Sequence, residues 1–362
     1  MMMSEKCKQH VDSCRFCWMC HHICPIGNAT GHERSTPRAR ALGISLVNRG
    51  AIELCEIMDN IYECAGCGAC VHDCVTGWDP VMFTREVRLE AALEGVLPEY
   101  IATLVENCLS VGNAYGKSAI CACLGDAIAK HAEKSDLLLF LGADARYMAP
   151  ESAKRAIRVL EKAGVAFTVL ENEPASGAQL EYLIGYAEET KATMAAAAAV
   201  LNDYKTVVVY DPADAKAIMQ VYRELGIELS AKVVTFTAYL ASLLADGKLE
   251  AKKSGKRVTY QDPFQLSRDL GETEEARAVI SAYAELSEML LCRAETVWAG
   301  NILMAQYMPE VIEKVAARRI FNATSIGESV IVTASVSEYT ALKSVAQSEV
   351  EILSIEELVL GE

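Results

Sequence analysis

From residue 137 onward the chain alternates short apolar runs with longer stretches of helical period. Residues 137–141 (Leu-Leu-Leu-Phe-Leu) are continuously apolar and end at Gly142, which predicts a strand buried on both faces. Residues 151–163 carry a helical repeat that stops at Gly164. Residues 165–170 read as a second strand and 177–201 as one long helix. Residues 207–210 read as a strand closed by Asp211-Pro212, and 213–225 as a helix stopped by Gly226. A strand at 233–236 leads into a helix reaching Leu244.

A polar link follows at 246–256, and then the pattern starts again. Strand 258–260 leads to Asp262-Pro263, helices are predicted at 272–283 and 310–321, and Pro309 stands where a first helical turn tolerates it. Strand 330–333 precedes a helix at 335–345, and strand 350–354 precedes another. The repeat is about 110–120 residues long, too long for a solenoid unit and suited to two α/β lobes, each with a mainly parallel sheet.

The chain of 362 residues is 52% hydrophobic and 23% charged, which fits a packed protein of two to three domains and excludes a disordered one. Its net charge of −15 argues against nucleic-acid partners. No apolar run reaches the length of a membrane span; the nearest, 192–201, is short and alanine-rich. Residues 1–5 lack a secretion signal, so the expected compartment is the cytoplasm, with membrane contact only peripheral and through a partner.

Fourteen cysteines change this picture, because ten of them precede residue 75. Disulfides do not suit that compartment, and metal ligation does. Two runs share one spacing: Cys14, Cys17, Cys20, Cys24 with Pro25 following, and Cys64, Cys67, Cys70, Cys74 with Val75 following. This is the ferredoxin-type ligand run for a [4Fe–4S] cube, in which three close thiolates hold one cluster and the fourth reaches the other. One cube then takes Cys14, Cys17, Cys20 and Cys74, and the second takes Cys64, Cys67, Cys70 and Cys24. Two structural zinc sites are the competing reading, but zinc does not favour three close thiolates plus a remote fourth, twice. Gly66 and Gly68 suit backbone passing close to cluster sulfurs.

The expected fold is therefore α+β: a helical ferredoxin-like two-cluster domain (1–118) followed by two pseudo-repeated α/β lobes (119–246 and 247–362). Cys7 and Cys55 read as free buried cysteines, and His21, His22 and His72 as solvent-facing or second-line donors rather than ligands. Cys108, Cys121 and Cys123 read as packing or peripheral thiols, with a third metal centre as the alternative. No dinucleotide fingerprint or catalytic triad pattern is present, so no catalytic residue is assigned.

The double cysteine head followed by two similar lobes resembles the iron–sulfur subunits of glycolate and lactate oxidases and the cluster-carrying subunit of heterodisulfide reductase. Residues 33–40 (Glu-Arg-Ser-Thr-Pro-Arg-Ala-Arg) look like the family's Ser-Pro-Arg-Gly-Arg segment, and 112–116 (Gly-Asn-Ala-Tyr-Gly) like its Gly-Asn-Pro-Tyr-Gly loop. Residues 147–153 and 259–268 look like the segments opening its two lobes. The resemblance implies an FAD-containing partner subunit that oxidises a 2-hydroxy acid or similar substrate, an electron-transferring flavoprotein or other redox partner, and an oxygen-sensitive, anaerobic setting.

The chain departs from that family where its lobes bind a further cluster through Cys-Cys-Gly motifs. Here the matching positions are Ala175-Ser176-Gly177, the stretch 211–214, Gln261, Phe264 and Gln265, and a single Cys292. The interlobe cluster is therefore expected to be missing, and the lobes to act as a docking platform. The alternatives are a reductase using a pocket between the lobes, with Gln261, Asp262, Arg268, Arg293 and Trp298 as residues to watch, and a non-redox scaffold braced by structural clusters. Arg38 and Arg40 are expected over a cluster or at a partner face, or else in solvated or salt-bridged positions.

Overall fold

β-branched and leucine-rich runs become the strands of two parallel sheets, in a computed structural model that describes residues 4–362. The reading of residues 1–5 as lacking a secretion signal lies partly outside the described residues. In the first sheet β1 (Leu137–Phe140), β2 (Thr206–Val209) and β3 (Lys232–Thr235) lie in that order. Thr168 adds a single parallel bridge to Leu138 on the free side of β1. In the second sheet the order is β5-β4-β6-β7, from β4 (Arg257–Gln261), β5 (Glu285–Leu286), β6 (Val330–Thr333) and β7 (Glu351–Ser354). Counting the Thr168 bridge, the segments of the two sheets lie in the same order, second, first, third, fourth.

Segment 165–170 is thus one bridge rather than a full strand. The long helix expected at 177–201 is also two helices, Ala178–Ile184 and Glu188–Leu201. The break is at Gly185, whose φ of +61° and tight approach to the Arg85 carbonyl (2.8 Å from where a Cβ would stand) stop the first helix. That first helix packs into the core of the cysteine-rich head, where Leu180, Leu183 and Ile184 join Phe83, Val87, Ile101 and Leu104. The two lobes share a core of their own, with Leu139 and Val208 of one sheet in the same cluster as Val258, Val332 and Leu353 of the other.

The head is helical. Helices Pro37–Asn48, Pro80–Glu94 and Glu99–Val111 frame two cysteine loops. The Arg88 side chain, 3% exposed, ties head to lobe: it donates to the Ile61 and Cys64 carbonyls (3.1 and 2.7 Å) and to the Tyr182 carbonyl (2.7 Å). Arg268 does the same from the second lobe, donating to the Cys67, Ala294 and Thr296 carbonyls at 2.9, 3.0 and 2.5 Å.

Candidate metal centres and the interlobe cavity

The two cysteine loops have the same backbone. Phe16 and Trp18 in the first run and Gly66 and Gly68 in the second all have positive φ, between 56° and 71°. In both, the amide two residues after the first cysteine donates to its sulfur, Phe16 to Cys14 and Gly66 to Cys64, each at 3.4 Å. Trp18 and Gly68 then begin short helices, Met19–Ile23 and Ala69–His72, that carry Cys20 and Cys70.

The fourth cysteines differ. Cys24 caps helix Pro25–Thr30, its sulfur accepting from the Gly27 amide at 3.4 Å, with Pro25 at the first position. Cys74 begins no helix. It is followed by a turn, with Thr76 Oγ1 3.3 Å from its sulfur, and the next helix starts only at Pro80, capped by Asp79. Val75, where the first run has proline, marks this difference in the sequence.

Each loop folds over the other's last cysteine. One small cavity is lined by Cys14, Cys17, Cys20 and Cys74, with Phe16, Trp18 and Arg38 at its wall. A second is lined by Cys24, Cys64, Cys67 and Cys70, with Pro25, Pro37 and Arg40. The first opens to solvent: Cys17 is exposed and Cys14 and Cys74 half-buried, whereas all four cysteines of the second are buried. Among the described residues no three His, Cys, Asp or Glu side chains converge on a single-ion site.

The cavities suit a larger anionic group with several metal atoms. Each carries an arginine with a buried nitrogen that has no hydrogen-bond partner, Arg38 Nη1 in the first and Arg40 Nε in the second. Arg40 is 2% exposed and donates through Nη1 to the Ser35 carbonyl at 3.0 Å. Arg38 lies over the Trp18 ring, 4.0 Å from its centre.

Burial pushes the Cys67 thiol up to about 11 against the pull of Arg268. Burial and then the Cys67 and Cys64 sulfurs push Cys70 well above its ordinary value. At Cys64 burial acts in the same sense, but the Arg40 and Arg88 guanidiniums outweigh it and hold that thiol below its ordinary value. In the first cavity, burial and the neighbouring Cys14 and Cys24 raise Cys20 to about 11. Thiolates crowded this way repel one another, a cost that bound metal cations offset.

Other sequence candidates fall elsewhere. Cys7 is fully buried in the head core, as expected. Cys55 is exposed, contrary to expectation: in the 3₁₀ turn Leu54–Ile57 the buried pair is Leu54 and Ile57, three apart, which turns Cys55 outward. His21 pairs with Glu33 at 3.2 Å, and His21, His22 and His72 line neither sulfur cavity. Gln261 and Asp262 are structural: Gln261 is held by Glu338 and Arg319, and Asp262 by Arg277 at 2.6 and 2.9 Å. Trp298 is core, and Arg293 pairs with Glu274.

A third cavity, of about 160 Å³, lies where head and both lobes meet. Its wall includes Cys64 of the buried sulfur cavity and also Ala175, Ser176, Gly177, Asp211, Asp214, Phe264 and Gln265. These are positions that, by the family resemblance, would hold a further cluster. Among the described residues Cys292 is not part of the wall, and Cys108 is its only thiol besides Cys64. Carboxylates take the place of thiols, so the residues here do not fit an iron–sulfur cluster.

Asp144 accepts from Tyr115 and Gln179 of its own side and from Ser337 of the second lobe. Asp214 accepts from Ser176 and presses so close to Gly142 that only glycine fits there, at a φ of +85°. Asp211 accepts from the Ala213 amide at 2.8 Å through one oxygen; the other, buried at this cavity, has no partner. Burial, with Asp144 nearby, raises the Asp211 carboxyl to about 7, and burial with Asp211 raises Asp214 well above its ordinary value.

Asp144, Arg146 and Glu173 carry no motif that singles them out in the sequence. Three π-helical turns, Asp144–Met148, Ala217–Val221 and Gln265–Asp269, all border this cavity. Such turns concentrate at functional positions and leave no mark in a hydropathy pattern.

Several proteins similar to this chain are named as iron–sulfur proteins, ferredoxins or subunits of a redox enzyme. The chain is 28% identical over 279 residues to a probable membrane-anchored ferredoxin of Chromohalobacter salexigens, covering 73% of this chain and 40% of that protein. It is 28% identical over 301 residues to a subunit of the dihydromethanophenazine:CoB–CoM heterodisulfide reductase of Methanosarcina acetivorans, covering 75% of this chain and 72% of the other. An uncharacterised iron–sulfur protein of Methanocaldococcus jannaschii is 23% identical over 319 residues, 86% of this chain and 63% of that one. No family model matches the chain. A solved structure, glutamate racemase isoform RacE1 of Bacillus anthracis, aligns over 62% of this chain and 79% of its own at a TM-score of 0.30 and 14% identity, too slight a likeness to carry an argument. No described helix is long and apolar enough to cross a membrane.

Proposed function

We propose that this chain is an iron–sulfur electron-transfer subunit holding two [4Fe–4S] clusters, one on Cys14, Cys17, Cys20 and Cys74 and one on Cys64, Cys67, Cys70 and Cys24. The observation that carries this is the pair of four-cysteine cavities, each lined by an arginine with a buried nitrogen that has no hydrogen-bond partner. When bound, such clusters take up and give back single electrons. The protein's own share is to bury one site, expose the other, and set cationic groups beside the sulfurs. Arg40 and Arg88 face the buried site, and Arg38 faces the exposed one.

The exposed site is where a redox partner docks. By family resemblance that partner is an FAD-containing dehydrogenase subunit acting on a 2-hydroxy acid or similar substrate, with an electron-transferring flavoprotein or another redox protein at the other end. The Methanosarcina relative is named as one subunit of a reductase, which supports the expectation of a multi-subunit complex. Another relative is named as membrane-anchored, which supports peripheral membrane contact through a partner. Division into a head at 1–118 and lobes at 119–246 and 247–362 belongs to the same proposal.

The test is anaerobic iron and acid-labile sulfide quantitation on the purified chain, with EPR after reduction. About eight irons with interacting S = 1/2 signals are expected from two cubes. Zinc in place of iron sinks the proposal, and clusters that cannot be reduced leave only a structural scaffold.

A second reading, a reductase that binds its substrate between the lobes, is favoured by one observation: the 160 Å³ cavity reaches Cys64 and holds the unpartnered Asp211 oxygen. Disulfide or quinone reduction by the isolated chain, lost in Asp211→Ala with both clusters retained, would establish it. Activity only in the presence of a flavoprotein partner returns the case to the relay.

A further inference from the structure

Six cysteines lie outside the sulfur cavities, and two of them are not solitary. Cys121 and Cys123 are both exposed, and their sulfurs are 2.7 Å apart. That is closer than two non-bonded sulfurs rest, and within about 0.7 Å of the S–S bond length of about 2.05 Å.

The local fold produces this approach. Cys121 is the extended residue preceding helix Ala122–Ala129, and Cys123 is the second residue inside it. The Cys121 carbonyl takes the Leu124 and Gly125 amides, so the backbone begins the helix, while its side chain makes no capping bond and is free to turn toward Cys123. Two features favour a thiolate here: the start of the helix, and Lys154, which acts on Cys123 while bonded to Glu151 at 2.9 Å. Glu151 itself opposes them, 4.0 Å from the Cys123 sulfur. The hydrogen bond to Cys121 pushes the Cys123 thiol up. A metal centre is the poorer reading, because no third His, Cys, Asp or Glu among the described residues completes a site.

We propose that Cys121 and Cys123 form a surface dithiol–disulfide couple that exchanges with small-molecule or protein disulfides. In the oxidising direction the Cys121 thiolate attacks one sulfur of a disulfide RSSR, forms Cys121–S–S–R and releases RS⁻. Cys123 then gives up its proton, attacks the Cys121 sulfur and releases the second RS⁻. The two thiolates released take up protons, so the protein loses two protons and two electrons and RSSR becomes 2 RSH. A dithiol partner runs the sequence backwards. The closed bond spans a single intervening residue at an exposed position, which belongs with labile exchanging disulfides rather than structural ones.

The experiment uses the full chain, purified anaerobically with its metal bound. It is equilibrated with mixtures of glutathione and glutathione disulfide, acid-quenched, alkylated and mapped by peptide mass spectrometry. The expected product is a peptide with an internal bond between Cys121 and Cys123, at least tenfold more abundant than any mixed adduct at either residue. Cys123→Ser should collect one glutathione on Cys121, and Cys121→Ser should react about tenfold more slowly. Cys55 is the internal control: exposed and without a neighbouring thiol, it takes a glutathione and forms no internal bond.

Two free thiols under a fully oxidised glutathione pool, or one stable glutathione on each, overturns the proposal. So does a loss of iron in Cys121→Ser or Cys123→Ser, which would make the pair cluster ligands. Both side chains are exposed, so these variants should fold, and equal iron content in wild type and variants checks that directly. The disulfide mapping does not depend on the electron-transfer proposal; only the iron readouts do.

Discussion

The two sulfur cavities share a cysteine spacing and a loop backbone, yet they sit in opposite environments. Around the first, Phe16 is 63% exposed and Trp18 and Met19 nearly half-exposed. Around the second, Ala65, Cys67 and Ala69 share a core with Phe264 and Trp298 of the second lobe. The residues at positive φ show what the difference costs. Gly66 and Gly68 adopt that conformation freely, while Phe16 and Trp18 each bear a strain of roughly 1–2 kcal/mol. Cysteine spacing goes with the loop shape; the residues between the cysteines decide whether it faces solvent or a protein wall. The buried loop is built for a fixed environment, and the exposed one accepts strain to present aromatic surface.

The largest test of this contrast is removal of one thiol from each cavity. If each cavity holds the proposed cube, Cys64→Ser and Cys17→Ser should each lose about four of eight irons. Only Cys64→Ser should also unfold the junction between head and lobes, because its site lies within the core. Iron analysis beside thermal unfolding separates the two, and equal loss of stability would erase the distinction. Next comes Arg88→Ala, which leaves the buried Ile61, Cys64 and Tyr182 carbonyls without their donor. It should cost about 3–5 kcal/mol in denaturant unfolding, whereas Arg38→Ala at the exposed cavity should cost under about 1 kcal/mol.

Acidity distinguishes the buried side as well. The folded-state value of Asp211 is about 7, above its ordinary 3.8, so between those pH values the folded chain holds a proton that the unfolded chain releases. Its contribution is complete below about 3.8 and is lost as pH rises through 7. The slope is at most about 1.4 kcal/mol per pH unit. Glu338 and Glu356, raised by burial to about 8 and about 7, act in the same sense. Asp211→Asn should flatten the fall without abolishing it, and an unchanged profile from urea unfolding at pH 5, 6 and 7 would refute the assignment.

A smaller effect belongs to the arginines. Replacing Arg40 by Gln removes a buried positive charge beside Cys64, Cys24 and Cys70. The midpoint potential of the buried site should fall by on the order of 60 mV, the equivalent of a tenfold change for one electron. Arg38→Gln, at the solvent-open cavity, should move the other midpoint less, because water and salt screen the charge. Redox titration followed by EPR reads both.

How much of this is legible in the sequence follows from what each signal depends on. The two cysteine runs, the strands at 137–140, 206–209 and 330–333 and the repeated order of the lobes follow from local spacing and apolar runs. The break at Gly185 is not legible, because it depends on a carbonyl of Arg85 brought there by the fold. Nor is the acidic interlobe cavity: its carboxylates come from separate segments and converge only when the lobes close on the head. Gln261 and Asp262 draw attention because they replace or flank a family motif. They are instead core polar groups, satisfied by Glu338, Arg319 and Arg277, whose proximity no local pattern reveals.

The smallest expected effect goes to the root of the comparison. If Trp18 holds a strained conformation to present aromatic surface to a partner, Trp18→Gly should do two opposite things. It should stabilise the isolated chain by up to about 1–2 kcal/mol through relief of positive φ, less roughly 1 kcal/mol for the added freedom of glycine in the unfolded state. It should also lose the cation–π contact with Arg38 and the exposed apolar surface offered to the partner. The net change in thermal midpoint should therefore be small and of either sign, while copurification with a flavoprotein partner should fall at least tenfold. Gly68→Trp, the reciprocal exchange in the buried loop, should destabilise the chain, since it puts a side chain at a φ of +71° in a loop packed into the core. If Trp18→Gly leaves partner binding intact, the exposed aromatics are not the docking surface, and the strain in the first loop serves only to shield its sulfurs.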